Sequence, residues 1–324
     1  TYVRNFTDVD DKIIQRANEL GKDPFSLAQE NIDAFYEDMD RLGVLRPDKE
    51  PRATEHIEEM IDMIKVLIDK GFAYAEGGDV YYSIEKMPDY GSLSGRRIED
   101  MKAGARIDVD ERKRHPMDFA LWKGAKPGEP SWESPWGPGR PGWHMECSVM
   151  SNFYLGPTFD IHGGGKDLLF PHHENERAQS VAANGAEFAR YWVHNGFVTV
   201  ESEKMSKSLG NFITIRDALN EYPAEVLRLF LMSKHYRSPL DFSRKDVLNI
   251  QSGLVKIYRT LQRLEALTDR SILKKNSGRV RVFTGEEKDE FIRQFITFMD
   301  DDMNTAGAIG LIFERVKEIN KLID

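Results

Sequence analysis

Lys204-Met205-Ser206-Lys207-Ser208, followed by Leu209-Gly210-Asn211, sets two lysines three residues apart among serines and beside a glycine. That composition suits a mobile cationic loop. Its ammonium groups can neutralise the charge that builds on a triphosphate as pyrophosphate departs. A bare Lys-x-x-Lys reads more plainly as a solvated loop. A second group of residues has metal-ligand character. The single cysteine, Cys147, stands in Trp143-His144-Met145-Glu146-Cys147, and Pro171-His172-His173-Glu174-Asn175-Glu176 follows. On a helix, i, i+4 spacing puts His172 and Glu176 on one face, from which both can reach one ion. His173 is a ligand type too, so periodicity alone does not select. Taken singly, the cysteine also reads as a small buried apolar residue, and the His/Glu pair as a hydrogen-bonded helix face.

The elements around these residues follow from pattern. Tyr2 to Phe6 completes a short strand. Residues 7–20 form a helix that Thr7 can cap, with Ile13, Ile14, Ala17 and Leu20 as its apolar stripe and Gly21 as its stop. Further helices run over 24–42 and 53–70. Gly77-Gly78-Asp79 between two short β-rich runs marks a hairpin. Residues 87–141 hold Gly, Pro, Trp and charge without helical periodicity, as an inserted module of hairpins and loops would. Helix 143–154, strand 158–161, the loop Gly163-Gly164-Gly165, helix 172–184 and strand-rich 191–200 then alternate. This order implies a doubly wound α/β sheet with its ligands at the strand C-termini. From Val247 onward three apolar stripes predict a helical bundle, with a linker at 269–283 and Asn304 or Thr305 as the last helix cap.

The 324 residues are enough for two or three domains. No run of about 18 apolar residues is present, so no membrane-spanning helix is expected. One cysteine excludes an internal disulfide framework and fits a reducing, cytoplasmic setting. The net charge of -9 argues weakly against nucleic-acid binding. A local basic face can still grip phosphates, and the basic stretches are Lys234–Lys245 and Arg270–Arg281.

The Lys-Met-Ser-Lys-Ser run matches the signature of class I aminoacyl-tRNA synthetases. Together with Gly142–Cys147, Asp160-Ile161-His162-Gly163-Gly164-Gly165, Phe170–Glu176, the opening Tyr2–Lys12 and the acidic Met299–Thr305, it resembles cysteinyl-tRNA synthetases in the family's order, over essentially the whole chain. The resemblance implies activation of L-cysteine with ATP and Mg²⁺ and its transfer to tRNA(Cys), by a monomer with one zinc ion. It implies Cys147, His172 and Glu176 as zinc ligands, and Thr7, Trp143 and His162 as substrate-pocket residues. It places ATP at Gly164, Gly165 and Asp167, with Lys204 and Lys207 acting on its phosphates. The implied organisation is a Rossmann-like doubly wound parallel sheet with an inserted connective module and a C-terminal bundle. Its parts are the rest of the first catalytic half at 1–55, the insert at 56–141, the second half at 142–200, the lysine loop and stem-contact segment at 201–246, and an incomplete anticodon-binding bundle at 247–324.

The family's second catalytic signature, His-Ile-Gly-His, and a further cysteine ligand just before it do not occur here. No two of the eight histidines are three apart. The reading therefore expects a preceding segment on the order of 30 residues or more, most of a βαβ unit, and a longer C-terminal part. Two other functions compete. One is a cysteine ligase that delivers the same adenylate to an amino-sugar thiol precursor. The other is a non-catalytic tRNA-binding fragment.

Overall fold

The computed structural model describes residues 1–97, 111–201, 203–205, 210–268 and 289–324, and of Lys204 the backbone alone. The chain forms two units, Thr1–Glu37 with Leu45–His194, and Asp38–Val44 with Asn195–Asp324.

In the first unit the opening residues are extended and make parallel bridges, Val3 to Lys49 and Phe6 to Arg52. Helix α1 spans Asp11–Leu20 and so starts four residues after Thr7. The reason is its cap: Asp10 Oδ1 accepts the Ile13 amide at 2.7 Å, and Thr7 is engaged elsewhere. Helix α2 (Pro24–Leu42) follows as expected. Helix α3 (Ile57–Asp69) buries Ile57, Met60, Ile61, Ile64 and Leu67 along one stripe, the 3.6-residue pattern that drives an amphipathic helix onto a core.

Strands β1 (Ala73–Glu76) and β2 (Asp79–Tyr82) pair antiparallel. Their turn needs Gly77 and Gly78, both at positive φ, 60° and 88°, the geometry of a two-residue hairpin. Strands β3 (Phe119–Gly124) and β4 (Gly139–Pro141) extend the sheet in the order β1-β2-β3-β4, antiparallel throughout. Helix α4 (Trp143–Leu155) and helix α5 (Glu174–Asn184) complete the packing. One core joins α3 (Met60, Ile64), the sheet (Tyr82, Leu121, Trp122), α4 (Met145, Val149) and α5 (Ala178, Ala182). A side chain buried there contributes about 1.5–3 kcal/mol, so the hairpin sheet and the two site-bearing helices are stabilised jointly.

Strand β5 runs Phe159–Gly165 and pairs with β6 (Ala189–Asn195). The glycine triplet, expected as a loop, is the end of β5 itself. Phe159, Phe188 and Ala189 bury the base of this pair. Helix α5 begins at Glu174 rather than His172, because Leu169–His173 forms a wider turn with Phe170 extended (φ -142°, ψ 131°).

In the second unit β7 (Val198–Val200) lies between β8 (Glu203–Lys204), antiparallel, and β9 (Leu240–Phe242), parallel. Helix α6 (Ile215–Glu221) starts on a capping box of Thr214 and Asp217. With α7 (Ala224–Met232) it buries Ala218, Tyr222, Val226, Leu227 and Phe230 against Leu42, Leu240 and Val247. Helices α8 (Arg244–Thr268), α9 (Glu290–Asp300) and α10 (Thr305–Ile323) form the expected bundle, with Asn304 capping α10. Asn320 donates to the buried Thr260 hydroxyl at 2.6 Å and ties α10 to α8. The linker expected at 269–283 and the basic stretch Arg270–Arg281 lie outside the described residues. Among the described residues no helix is long and apolar enough to cross a membrane.

Candidate active site

Helix α4 turns Met145, Val149 and Met150 into the core. Trp143, His144 and Cys147 lie off that stripe. Helix α5 is unusual in burying polar residues, among them Glu174, Asn175, Glu176 and Gln179. α4 meets some of their groups: the Gln179 amide donates to His144 O at 2.9 Å and to Ser148 Oγ at 3.0 Å, and Ser148 Oγ donates to Glu176 O at 3.2 Å. Each such bond offsets part of the cost of burying a polar group. These bonds fix the two helices in register and bring Cys147 opposite His172 and Glu176.

Ligand-type atoms of Cys147, His172 and Glu176 lie within 4.8 Å of one another. His172 Nε2 stands 3.7 Å from Cys147 Sγ and 2.6 Å from Glu176 Oε1. The other Glu176 oxygen is 2.9 Å from His162 Nε2 on β5. Neither contact has hydrogen-bond geometry, and both carboxylate oxygens are buried without a hydrogen-bonding partner among the described residues. Burial would raise the Glu176 pKa; the facing His162 and His172 outweigh it and hold the carboxyl below the usual range. Burial, with Glu176 and Glu146 nearby, pushes the Cys147 thiol well up. Imidazole, thiol and carboxylate are the donor types of a zinc site, and the two orphaned Glu176 oxygens fit a cation beside them, to which Cys147 would bind on releasing its proton. A second triad, His162, His173 and Glu176, shares the same carboxylate.

The substrate-pocket candidates surround this cluster. Trp143, 44% exposed, stacks on His172 with centroids 3.9 Å apart and planes at 20°. Thr7 donates to Glu146 Oε2 at 2.7 Å, which explains why it does not cap α1. Burial raises the Glu146 pKa well above its ordinary value. Gly164 and Gly165 end β5, and Gly165 O accepts the Leu168 amide at 2.9 Å in a turn that exposes Asp167. Lys204 lies on β8 of the second unit, paired with Thr199; Lys207 falls outside the described residues.

Sequence reasoning gave several residues near the cluster no role, and His173 only as an alternative ligand. Asn5 Oδ1 is 3.8 Å from Cys147 Sγ. His144 Nδ1 meets His172 Nδ1 at 2.7 Å, and His173 Nδ1 meets His194 Nε2 at 2.8 Å. Burial lowers both the His144 and the His173 pKa to about 3, keeping the rings neutral. The run Trp143-His144 and the pair His172-His173 were the only hints; contact across β5, β6, α4 and α5 needed the fold.

The fold is one that a class I tRNA synthetase shares. Mycobacterium tuberculosis methionyl-tRNA synthetase bound by methionyl-adenylate superposes with a TM-score of 0.70 at 16% identity, over 98% of this chain and 75% of that one. The family model for class I (C) tRNA synthetase catalytic domains matches residues 1–252, and a DALR domain model matches 294–324. The chain belongs to that class I (C) family. It is 57% identical to the cysteine–tRNA ligase of Syntrophobacter fumaroxidans and 58% to that of Geobacter metallireducens, in each case over 100% of this chain and 66% of the relative. It thus spans just under two-thirds of their length.

Proposed function

We propose that the protein activates L-cysteine with ATP and transfers it to tRNA(Cys). The convergence of Cys147, His172 and Glu176 within 4.8 Å carries this reading. They would hold one zinc ion. The ion's contribution, when bound, is to favour the thiolate of the substrate cysteine, a contact that the hydroxyl of serine makes far more weakly.

The chain's own residues do the rest. Trp143 covers one face of His172 and fixes its imidazole plane, while its exposed side is free to receive substrate. His162 faces the second oxygen of Glu176 from β5, 2.9 Å away. Thr7 anchors the turn that bears Cys147. Gly164 and Gly165 end β5 and Asp167 follows it, where an α/β sheet takes up nucleotide, and the three would bind ATP. Lys204 and Lys207 would meet its phosphates, with Mg²⁺, as pyrophosphate leaves. The polar faces of α8 to α10 would read the tRNA. In this division 1–55 and 142–200 are catalytic, 56–141 is an insert, 201–246 is the lysine loop and stem contact, and 247–324 is the bundle.

The test is ATP–pyrophosphate exchange by the full-length protein with cysteine or serine as substrate, before and after zinc removal. Exchange that depends on cysteine and is lost with zinc is expected. Exchange with serine at a comparable rate would overturn the assignment. Charging of tRNA separates this reading from a ligase that loads an amino-sugar.

A further inference from the structure

The inserted hairpin module and the metal-holding turn are distant in sequence, yet a short stretch of the module reaches that turn. Five side chains between Asp89 and Arg96 reach the residues from Phe170 to Arg177. Ser94 donates twice to one oxygen of Glu174, from its amide and its hydroxyl, each at 2.8 Å. The Tyr90 hydroxyl donates to Asn175 Oδ1. Asp89 accepts from Arg177 at 2.8 Å, and Ser92 Oγ from the same guanidinium at 3.2 Å. The Arg96 guanidinium lies 4.5 Å above the Phe170 ring. His172 and Glu176 fall inside the stretch that these contacts hold.

We infer that Asp89–Arg96 is a positioning strap that sets the geometry of the His172–Glu176 pair. The reasons are physical. Residues 169–173 are not a regular helical turn, so backbone hydrogen bonds alone do not fix where His172 points. Glu174 and Asn175 are almost wholly buried, at 1% and 2% exposure. Their partners therefore cannot be replaced by water without opening the core. Tyr90 is itself a core residue, 6% exposed, so the strap is anchored before it reaches the turn. Groups that orient ligands from behind typically change metal affinity 10- to 100-fold. The strap thus couples the insert to metal selection, and the coupling is reciprocal: metal on the pair should slow opening of the strap.

The inference rests on Cys147, His172 and Glu176 being ligands. It is tested in the full-length protein with the double variant Tyr90→Phe/Ser94→Ala, which keeps the aromatic ring in the core. Zinc affinity is read by competition with a chromophoric chelator, and geometry by the visible bands of the Co²⁺-substituted protein. The double variant is expected to bind zinc about 10- to 100-fold more weakly, with shifted cobalt bands. Ser94→Thr, which retains the hydroxyl, should keep parental affinity. Tyr74→Phe is the control. It breaks a buried hydrogen bond to Asp118, 2.7 Å long, elsewhere in the same module, and should lower stability without moving affinity or bands. Parental affinity and bands in the double variant would overturn the strap. So would an equal loss in Tyr74→Phe, because module stability would then suffice. A parent protein that takes up no stoichiometric zinc overturns the ligand reading and the strap with it, an outcome distinct from either.

Discussion

Gly164 has no room for a methyl group. A Cβ there would lie 2.7 Å from His173 Cε1 and 2.9 Å from its Nε2. Gly164→Ala should therefore push the His173 ring away from His194 and loosen the cage around Glu176. Overpacking of this kind costs about 1–3 kcal/mol. We expect a lower Tm and a raised KM for cysteine; parental values in both would show that the ring yields freely. Lys207 is proposed to act on the leaving pyrophosphate, so its contact strengthens in the transition state. Lys207→Ala in the full-length protein should then slow adenylate formation strongly and leave cysteine binding nearly intact. Pyrophosphate exchange at saturating cysteine measures this, and an unchanged rate would remove Lys207 from the mechanism.

At the scale of elements, α1 is clamped to the hairpin sheet through its first residue. Asp11 accepts from Lys123 on β3 and Arg140 on β4. Burial works to raise its pKa, but the hydrogen bonds and charges of Lys123 and Arg140 prevail and lower it to about 2. A carboxyl depressed in the folded state adds stability above its unfolded pKa, about 3.9, and loses it as pH falls through the folded value. Asp11→Asn should therefore be less stable than the parent at pH 7. The difference should shrink as pH falls from about 4 towards 2. Urea denaturation at several pH values checks the trend, and a gap that is constant with pH would deny the clamp its ionic character. Asp11 is largely exposed, so the gap should be modest and shrink with salt.

For the whole molecule, the proposed separation of chemistry from tRNA reading has a definite place to be tested. Val247 is fully buried, and Ile250 and Leu254 pack on the same core as Tyr222 and Phe230. A cut at Val247 would expose that core. A cut after Thr268 spares it. Full-length protein lacking everything after Thr268 should keep cysteine-dependent pyrophosphate exchange and lose most tRNA charging. Loss of both together would show that the bundle is part of the catalytic fold. The 324 residues carry a net charge of -9, so the proposed tRNA binding would rest on local basic groups. Its affinity should fall steeply between low and moderate salt.

The sequence by itself determined what depends on local pattern or on motif. Amphipathic stripes announced α1, α3 and the bundle helices, because the 3.6-residue period of buried side chains is written in the chain. Motif order pointed to Cys147, His172 and Glu176. Tertiary structure alone decided the rest. Thr7 looked like a helix cap and is bound instead to Glu146, a partner 139 residues away that no local rule identifies. The glycine triplet looked like a loop and is a strand, because pairing with β6 and the His173 ring demand an extended backbone without side chains. The choice between His172 and His173 as the partner of Cys147 was open in sequence. The irregular turn at 169–173 and the packing of α4 on α5 turn the His172 Nε2 towards Cys147 and the His173 ring towards β6, an arrangement no local pattern shows.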